Sequence, residues 1–162
     1  MKKIVIVDDR PWKFQECVRK LKDKGIIFCK TVYYPNNTLG QDTQDRMIND
    51  YKNHTDMEIA QVNDQMEFLT KMDELYDNQD TIFLIDYDLK GDMSREDFYT
   101  RVNVKYAKVK GWDRIWFYTS GPSDIKGMLI RTFPDHVISV TTNLEGQSFW
   151  DEEQVLTAAQ MG

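Results

Sequence analysis

Cysteine is scarce in this sequence, and long apolar runs are missing. The two cysteines, Cys17 and Cys29, stand at positions that match neither a disulfide scaffold nor a zinc site, so we expect free thiols in a reducing cytoplasm. No stretch reaches the roughly 18 consecutive apolar residues of a membrane helix. The apolar run near the N-terminus covers only residues 4–7, which is too short for a signal peptide. These absences predict a cytoplasmic protein with no membrane association.

Positive charge is in deficit as well. The chain has 27 acidic and 21 basic side chains, and its net charge is -6. An acidic surface repels phosphate backbones, so we expect no nucleic-acid partner. With 162 residues, 41% of them hydrophobic, the chain can bury the core of one ordinary domain. The expected organisation is a single domain over residues 1–162.

Short apolar segments alternate with amphipathic ones along the chain. Buried strands are predicted at 3–7, 26–34, 81–85, 114–118 and 137–140, with a further candidate strand at 57–62. Helices are predicted between them, including one over 94–108 and a last one over 149–160 that Ser148 would cap. The alternation is typical of an α/β fold. The sequence thus predicts a doubly wound, five-stranded parallel sheet with helices on both faces, the flavodoxin-like arrangement.

The segment between Asp9 and Asp86 is longer than this fold requires. Asp86 follows Asp9 by 77 positions, whereas a helix, a strand, a second helix and their loops need only about 45 residues. Roughly 30 residues are therefore additional, and we expect them as an insertion around residues 35–56. The insertion is either a binding element or a decoration of the fold.

Polar residues stand directly after three of the predicted strands. Asp8 and Asp9 follow the first strand, Asp86 follows the third, and Thr119 and Ser120 follow the fourth. Because parallel strands end at one edge of a sheet, these side chains are expected to lie together. A single aspartate there could merely cap the next helix, but three carboxylates repel one another unless a cation neutralises them. Mg²⁺ prefers such oxygen ligands, and a carboxylate beside it can attack phosphorus to form an aspartyl phosphate.

Three segments of the chain resemble the motifs of response-regulator receiver domains. They are Ile-Val-Ile-Val-Asp-Asp at 4–9, Phe-Leu-Ile-Asp-Tyr-Asp-Leu-Lys-Gly at 83–91 and Trp-Phe-Tyr-Thr-Ser at 116–120. The resemblance implies that Asp86 is the phosphoacceptor and that Thr119 is the hydroxyl that responds to phosphorylation. It therefore implies a stand-alone signalling module of two-component signal transduction rather than a turnover enzyme.

The resemblance also implies a cofactor and partners. The side chains of Asp8, Asp9 and Asp86 and the backbone carbonyl of Asp88 would hold Mg²⁺. The partner would be a sensor histidine kinase or another signalling protein, and a homodimer is a further candidate state. A degenerate variant of this interpretation is a module that binds its partner without phosphorylation.

One charged residue of the receiver pattern is missing. The family carries a lysine at the end of the fifth strand, but residues 136–142 contain none, and neither Lys90 nor Lys126 stands at the matching position. A hydroxyl at Ser139 or Thr141 could donate a hydrogen bond there without contributing a charge. We therefore expect either weak switching or a binding module that is not switched.

Two other functions fit parts of the sequence. Asp86 and Asp88 resemble the nucleophile and the acid/base of haloacid-dehalogenase-like phosphatases, and Thr119 would fit the second motif of that family. However, Leu89-Lys90 replaces the usual Gly-Thr of that family, and the acidic pair lies upstream rather than downstream. A nucleotide-binding fold is the weaker alternative, since residues 8–12 contain no glycine that would let a pyrophosphate approach.

Overall fold

A parallel β-sheet lies at the centre of the computed structural model, which describes residues 1–35, 38–102 and 114–161. Its strands are β1 (Lys3–Asp8), β2 (Phe28–Tyr33), β3 (Glu58–Gln61), β4 (Thr81–Asp86) and β5 (Ile115–Tyr118). In the described part of the chain they lie in the order β3-β2-β1-β4-β5, and every neighbouring pair is parallel. All their carboxyl ends therefore meet at one edge of the sheet.

Helices cover both faces of this sheet. They are α1 (Gln15–Asp23), α2 (Gln41–Thr55), α3 (Gln65–Tyr76), α4 (Arg95–Val102), α5 (Ser123–Thr132) and α6 (Glu152–Met161). The side chains of β1 alternate between the two faces, with Ile4 and Ile6 on one side and Val5 and Val7 on the other. Residues of α1, α2 and α6 pack on the first side, and residues of α3, α4 and α5 pack on the second.

The architecture confirms the predicted α/β fold, a five-stranded parallel sheet with helices on both faces. β1 is buried on both sides, which explains why its sequence is a continuous apolar run rather than an alternating one. Among the described residues, no helix is long and apolar enough to cross a membrane.

Helix α2 occupies most of the predicted insertion around residues 35–56. Tyr51 anchors this helix, because its ring is fully buried and its hydroxyl hydrogen-bonds with Thr31 of β2 at 2.7 Å. Tyr33 of β2 donates a second hydrogen bond to Gln44 at 3.1 Å. The chain then forms β3, which pairs with β2 at the edge of the sheet. The insertion is therefore packed against the core and leads into an additional edge strand.

The predicted sheet strand at 137–140 is present only in part. In the described residues, this stretch joins the main sheet through one parallel bridge, between Val137 and Phe117 of β5. The chain then turns away, and β6 (Val140–Thr142) pairs antiparallel with β7 (Ser148–Trp150) across a turn at Gly146. Pairing across a short turn closes a much smaller loop than a long-range parallel pair, so it costs less chain entropy. The fifth place in the sheet belongs to β3.

The start of the last helix also differs from the prediction. Ser148, the predicted cap, lies in β7, where its hydroxyl hydrogen-bonds with that of Thr142 at 2.9 Å. Asp151 caps α6 instead, because its carboxylate accepts a hydrogen bond from the Gln154 N–H at 2.9 Å. Of the helix predicted over 94–108, residues 95–102 form α4, and residues 103–108 lie outside the described residues.

Candidate metal and phosphoacceptor site

Three carboxyl groups meet at the carboxyl edge of the sheet, where β1 and β4 are neighbours. One carboxylate oxygen from each of Asp8, Asp9 and Asp86 lies within 4.8 Å of the others. The parallel register of β1 and β4, with Val7 opposite Ile85, brings these strand ends side by side. Asp8 is 3% exposed and Asp86 is 8% exposed, so both carboxyl groups are buried. The predicted convergence of these three residues is therefore present.

Both oxygens of Asp8 are held by hydrogen-bond donors. The hydroxyl of Tyr118, the last residue of β5, donates to Oδ2 at 2.6 Å, and the Arg10 N–H donates to Oδ1 at 2.8 Å. The Tyr118 ring is itself fixed by edge contacts with Phe14 and Trp150, at centroid distances of 5.1 and 5.5 Å. Asp8 thus has one orientation that the core dictates.

The loop after β4 is organised around Asp86. The Asp88 N–H donates a hydrogen bond to Asp86 Oδ1 at 3.1 Å. The buried Tyr99 hydroxyl of α4 donates to the backbone carbonyl of Asp86 and accepts from the Leu89 N–H, the latter at 3.0 Å. Asp86 is therefore held at its side chain by the loop and at its main chain by α4.

The three carboxyl groups perturb one another strongly. Burial, with the Asp8 carboxylate as the next cause, raises the pKa of Asp9 to about 8. Burial also raises the pKa of Asp86 well above its ordinary range, and the charges of Asp8 and Asp9 add to this effect. The raised pKa means that Asp9 binds a proton more readily than an ordinary aspartate does, which relieves the repulsion among the three groups. A divalent cation can take the place of that proton, because it favours the ionised carboxylates.

A cleft of about 360 Å³ opens above these acids. Its walls carry both acidic and basic side chains together with two hydroxyls from the end of β5. The lining residues are Asp8, Asp9, Arg10, Lys13, Phe14, Thr38, Asp86, Asp88, Lys90, Thr119, Ser120 and Gly121. The volume is sufficient for a hydrated cation and a phosphoryl-sized anion together.

Thr119 and Asp88 both border the cleft, as the sequence predicts. Thr119 is buried, and its Oγ1 accepts a hydrogen bond from the Gly121 N–H at 3.0 Å. The Asp88 carboxylate forms an ion pair with the Arg95 guanidinium of α4. This ion pair engages the Asp88 carboxylate with a structural partner, so it disfavours the acid/base role of the phosphatase alternative. The role of the Asp88 carbonyl as a metal ligand stays a prediction.

The two hydroxyls considered in place of the missing lysine lie elsewhere. Within the described residues, the lining of the acidic cleft includes neither Ser139 nor Thr141. Ser139 borders a neighbouring cavity of about 190 Å³ together with Lys126 and Thr119, and Thr141 pairs with Phe149 in the β6–β7 hairpin. The cleft therefore takes its cationic side chains from the segments after β1 and β4.

A glutamine on α3 fixes the far end of the loop after β4. Gln65 Oε1 accepts a hydrogen bond from the Met93 N–H at 2.8 Å, and its Nε2 donates to the Met93 carbonyl at 3.2 Å. Gly91 lies against this amide, and a Cβ there would come within 2.4 Å of Gln65 Cδ. Gly91 is thus explained by close approach of a side chain rather than by an unusual backbone angle.

Sequence reasoning did not identify Tyr118, Tyr99 and Gln65 as parts of the site. Tyr118 belongs to the aromatic run at the end of β5 and is buried in the core. The one available signal is position, because Tyr118 directly precedes Thr119 at a strand end that faces the acidic pair.

Comparisons with protein-family models, with curated proteins and with solved structures gave no match.

Proposed function

We propose that this chain is a receiver-like signalling module that binds Mg²⁺ and accepts a phosphoryl group on Asp86. The observation that carries the proposal is the convergence of three carboxyl groups within 4.8 Å in a cleft that also contains Thr119. The same fold could carry many activities, so the argument rests on the site and not on the topology.

The donor set fits Mg²⁺ by its chemistry. Asp8, Asp9 and Asp86 offer only carboxylate oxygens, which hard cations prefer, and the site contains no sulfur or imidazole ligand among the described residues. Asp8 and Asp9 would hold the ion from β1, and Asp86 with the Asp88 carbonyl would hold it from the β4 side. When bound, the ion neutralises the carboxylates and the oxygens of an incoming phosphoryl group.

Asp86 supplies the nucleophile in this proposal. One of its carboxylate oxygens attacks the phosphorus of a phosphohistidine or of a small acyl phosphate. The bond from phosphorus to the donor breaks, its electron pair stays with the leaving group, and an acyl phosphate forms on Asp86. The Asp88 N–H, which already donates to Asp86 Oδ1, would keep the carboxylate oriented during this step.

The output of such a module is a change in partner contacts. Thr119 lines the cleft and is the hydroxyl that would turn toward the phosphoryl group. The proposed partner is a sensor histidine kinase or another signalling protein, and a homodimer is a candidate output state. A cytoplasmic location belongs to the same proposal and accords with Cys17 and Cys29, which are both free thiols.

Intact-mass measurement tests the proposal. The protein is incubated with Mg²⁺ and acetyl phosphate or phosphoramidate, and we expect a mass increase of one phosphoryl group that EDTA abolishes. Asp86→Asn should remove the adduct. Asp80→Asn is the matched control, because Asp80 is an exposed aspartate directly before β4 at the opposite edge of the sheet.

Each alternative function has its own outcome in this experiment. Mg²⁺ binding without an adduct would indicate the degenerate binding module. Steady turnover of a phosphomonoester that depends on both Asp86 and Asp88 would instead indicate a phosphatase.

A further inference from the structure

Binding of a phosphoryl group would add negative charge to a cleft that is already acidic. Three carboxylates and one divalent cation leave a net negative charge, and a phosphoryl group adds more. A site that accepts such an anion therefore needs a cationic side chain on its wall. The cationic residues that line the cleft in the described part of the chain are Arg10, Lys13 and Lys90.

Lys13 is held at the cleft by a rigid turn. It belongs to a 3-10 turn, Pro11–Phe14, that follows β1 directly and leads into α1. Trp12 is buried with its ring edge against Tyr33, at a centroid distance of 5.9 Å. Phe14 is buried and stacks on Trp150 at 4.2 Å. With both neighbours packed into the core, the backbone of the half-buried Lys13 is fixed at the cleft wall.

Lys13 has no partner within the part of the chain that the structure describes. Its ammonium makes no hydrogen bond or ion pair there, although four carboxyl groups line the same cleft. Arg10 differs, because its charge acts on Asp9 and lowers the pKa of that group against the larger effect of burial. Lys90 differs too, because it is exposed. Lys13 is therefore a half-buried cation on the cleft wall that is available for an external anion.

We infer that Lys13 binds the phosphoryl oxygens of the anion in this cleft, in place of a cation on the 137–140 segment. The inference rests on the proposed function and names a further ligand-binding residue for it. The ammonium group would donate charge-assisted hydrogen bonds to oxygens that the metal does not neutralise. The charge then reaches the anion from the turn after β1 and not from the β5 side of the sheet.

Beryllofluoride binding in the presence of Mg²⁺ tests this role. Lys13→Met keeps most of the side-chain volume and removes the charge, and we expect it to weaken beryllofluoride binding roughly 10- to 100-fold. Lys13→Arg should recover much of that loss. Lys126→Met is the matched control, because Lys126 is also half-buried but borders the neighbouring cavity, and it should bind beryllofluoride as the unmodified protein does.

Binding of Mg²⁺ alone separates a ligand-binding role from a structural one. Removing a positive charge from the wall of a cation site should leave Mg²⁺ affinity unchanged or increase it. An equal loss of Mg²⁺ and beryllofluoride affinity in Lys13→Met would instead show that the turn had been disrupted and would overturn the inference. Unchanged beryllofluoride affinity, or a loss confined to Lys90→Met, would overturn it as well.

The unmodified protein keeps the two hypotheses distinguishable. If it binds Mg²⁺ and beryllofluoride but Lys13→Met binds them equally well, only the role of Lys13 is refuted. If it binds neither, the proposed function itself is refuted, and the role of Lys13 falls with it.

Discussion

Replacing Tyr118 with phenylalanine would remove one hydroxyl from the acidic site and leave the ring in place. That hydroxyl donates to Asp8 Oδ2 at 2.6 Å, and both groups are buried. Burial raises the pKa of Tyr118 well above its ordinary range, and the Asp8 charge adds to this effect, so the hydroxyl keeps its proton at physiological pH. Tyr118 is therefore a permanent neutral donor to Asp8.

The size of the effect follows from the type of bond. A buried hydrogen bond to a charged group contributes about 1.5–3 kcal/mol. Groups that orient metal ligands in this way typically change metal affinity by about 10- to 100-fold when they are removed. We therefore expect Tyr118→Phe to weaken Mg²⁺ binding by a factor in that range. The ring contacts with Phe14 and Trp150 do not depend on the hydroxyl, so the fold should persist.

Isothermal calorimetry of Mg²⁺ binding measures this prediction directly, and the Mg²⁺-induced rise in melting temperature provides a second readout. Tyr51→Phe is the matched control. Tyr51 is also fully buried, but its hydroxyl bonds with the neutral Thr31 at 2.7 Å, so its loss should lower stability without changing Mg²⁺ affinity. Equal Mg²⁺ affinities of Tyr118→Phe and the unmodified protein would refute the idea that Tyr118 orients Asp8 for a cation.

Three further predictions concern the pH response, the loop after β4 and the switch. The pKa of Asp9 is about 8 in the folded protein, against 3.8 for an ordinary aspartate, so the folded state binds the extra proton. Stability in EDTA should therefore fall as pH rises from about 4 to about 8. Urea unfolding should show this slope, and Asp9→Asn or saturating Mg²⁺ should reduce it; a flat profile would contradict the pKa assignment. Gly91→Ala should destabilise the protein by about 1–3 kcal/mol, because the added Cβ would displace the Gln65 amide. In a double-mutant cycle, most of that loss of stability should disappear when Gln65 is also replaced with alanine. Amide exchange over residues 119–142 should change little with beryllofluoride, because no cation on the 137–140 segment links the anion to that segment; large cooperative protection would show that the switch is strong.

The fold and the acidic triad could be predicted because they depend on local patterns. The apolar run of β1 requires burial on both faces, and the alternation of strands with helices requires parallel pairing. Once the strands are parallel, residues that follow them share one edge, and because β1 and β4 are neighbours, Asp8, Asp9 and Asp86 converge there. None of these steps depends on the detailed packing of side chains.

Strand membership could not be predicted at the edges of the sheet. Residues 58–61 and 137–140 are both short and apolar enough to be edge strands. The outcome depends on which partner strand each segment pairs with. β3 pairs with β2, whereas Val140–Thr142 pairs with β7, which is close in sequence. A local pattern contains no information on which of two long-range pairings has the lower free energy.

The supporting residues of the site were decided only by tertiary structure. Tyr118 reaches Asp8 across 110 positions of sequence, and Gln65 reaches Met93 across 28. Lys13 acquires its place at the cleft because Trp12 and Phe14 are buried on either side of it. The sequence by itself determined which acidic residues share the sheet edge, because strand direction alone controls that. The contacts that orient those acids depend on side chains from distant elements, and only packing in three dimensions brings such side chains together.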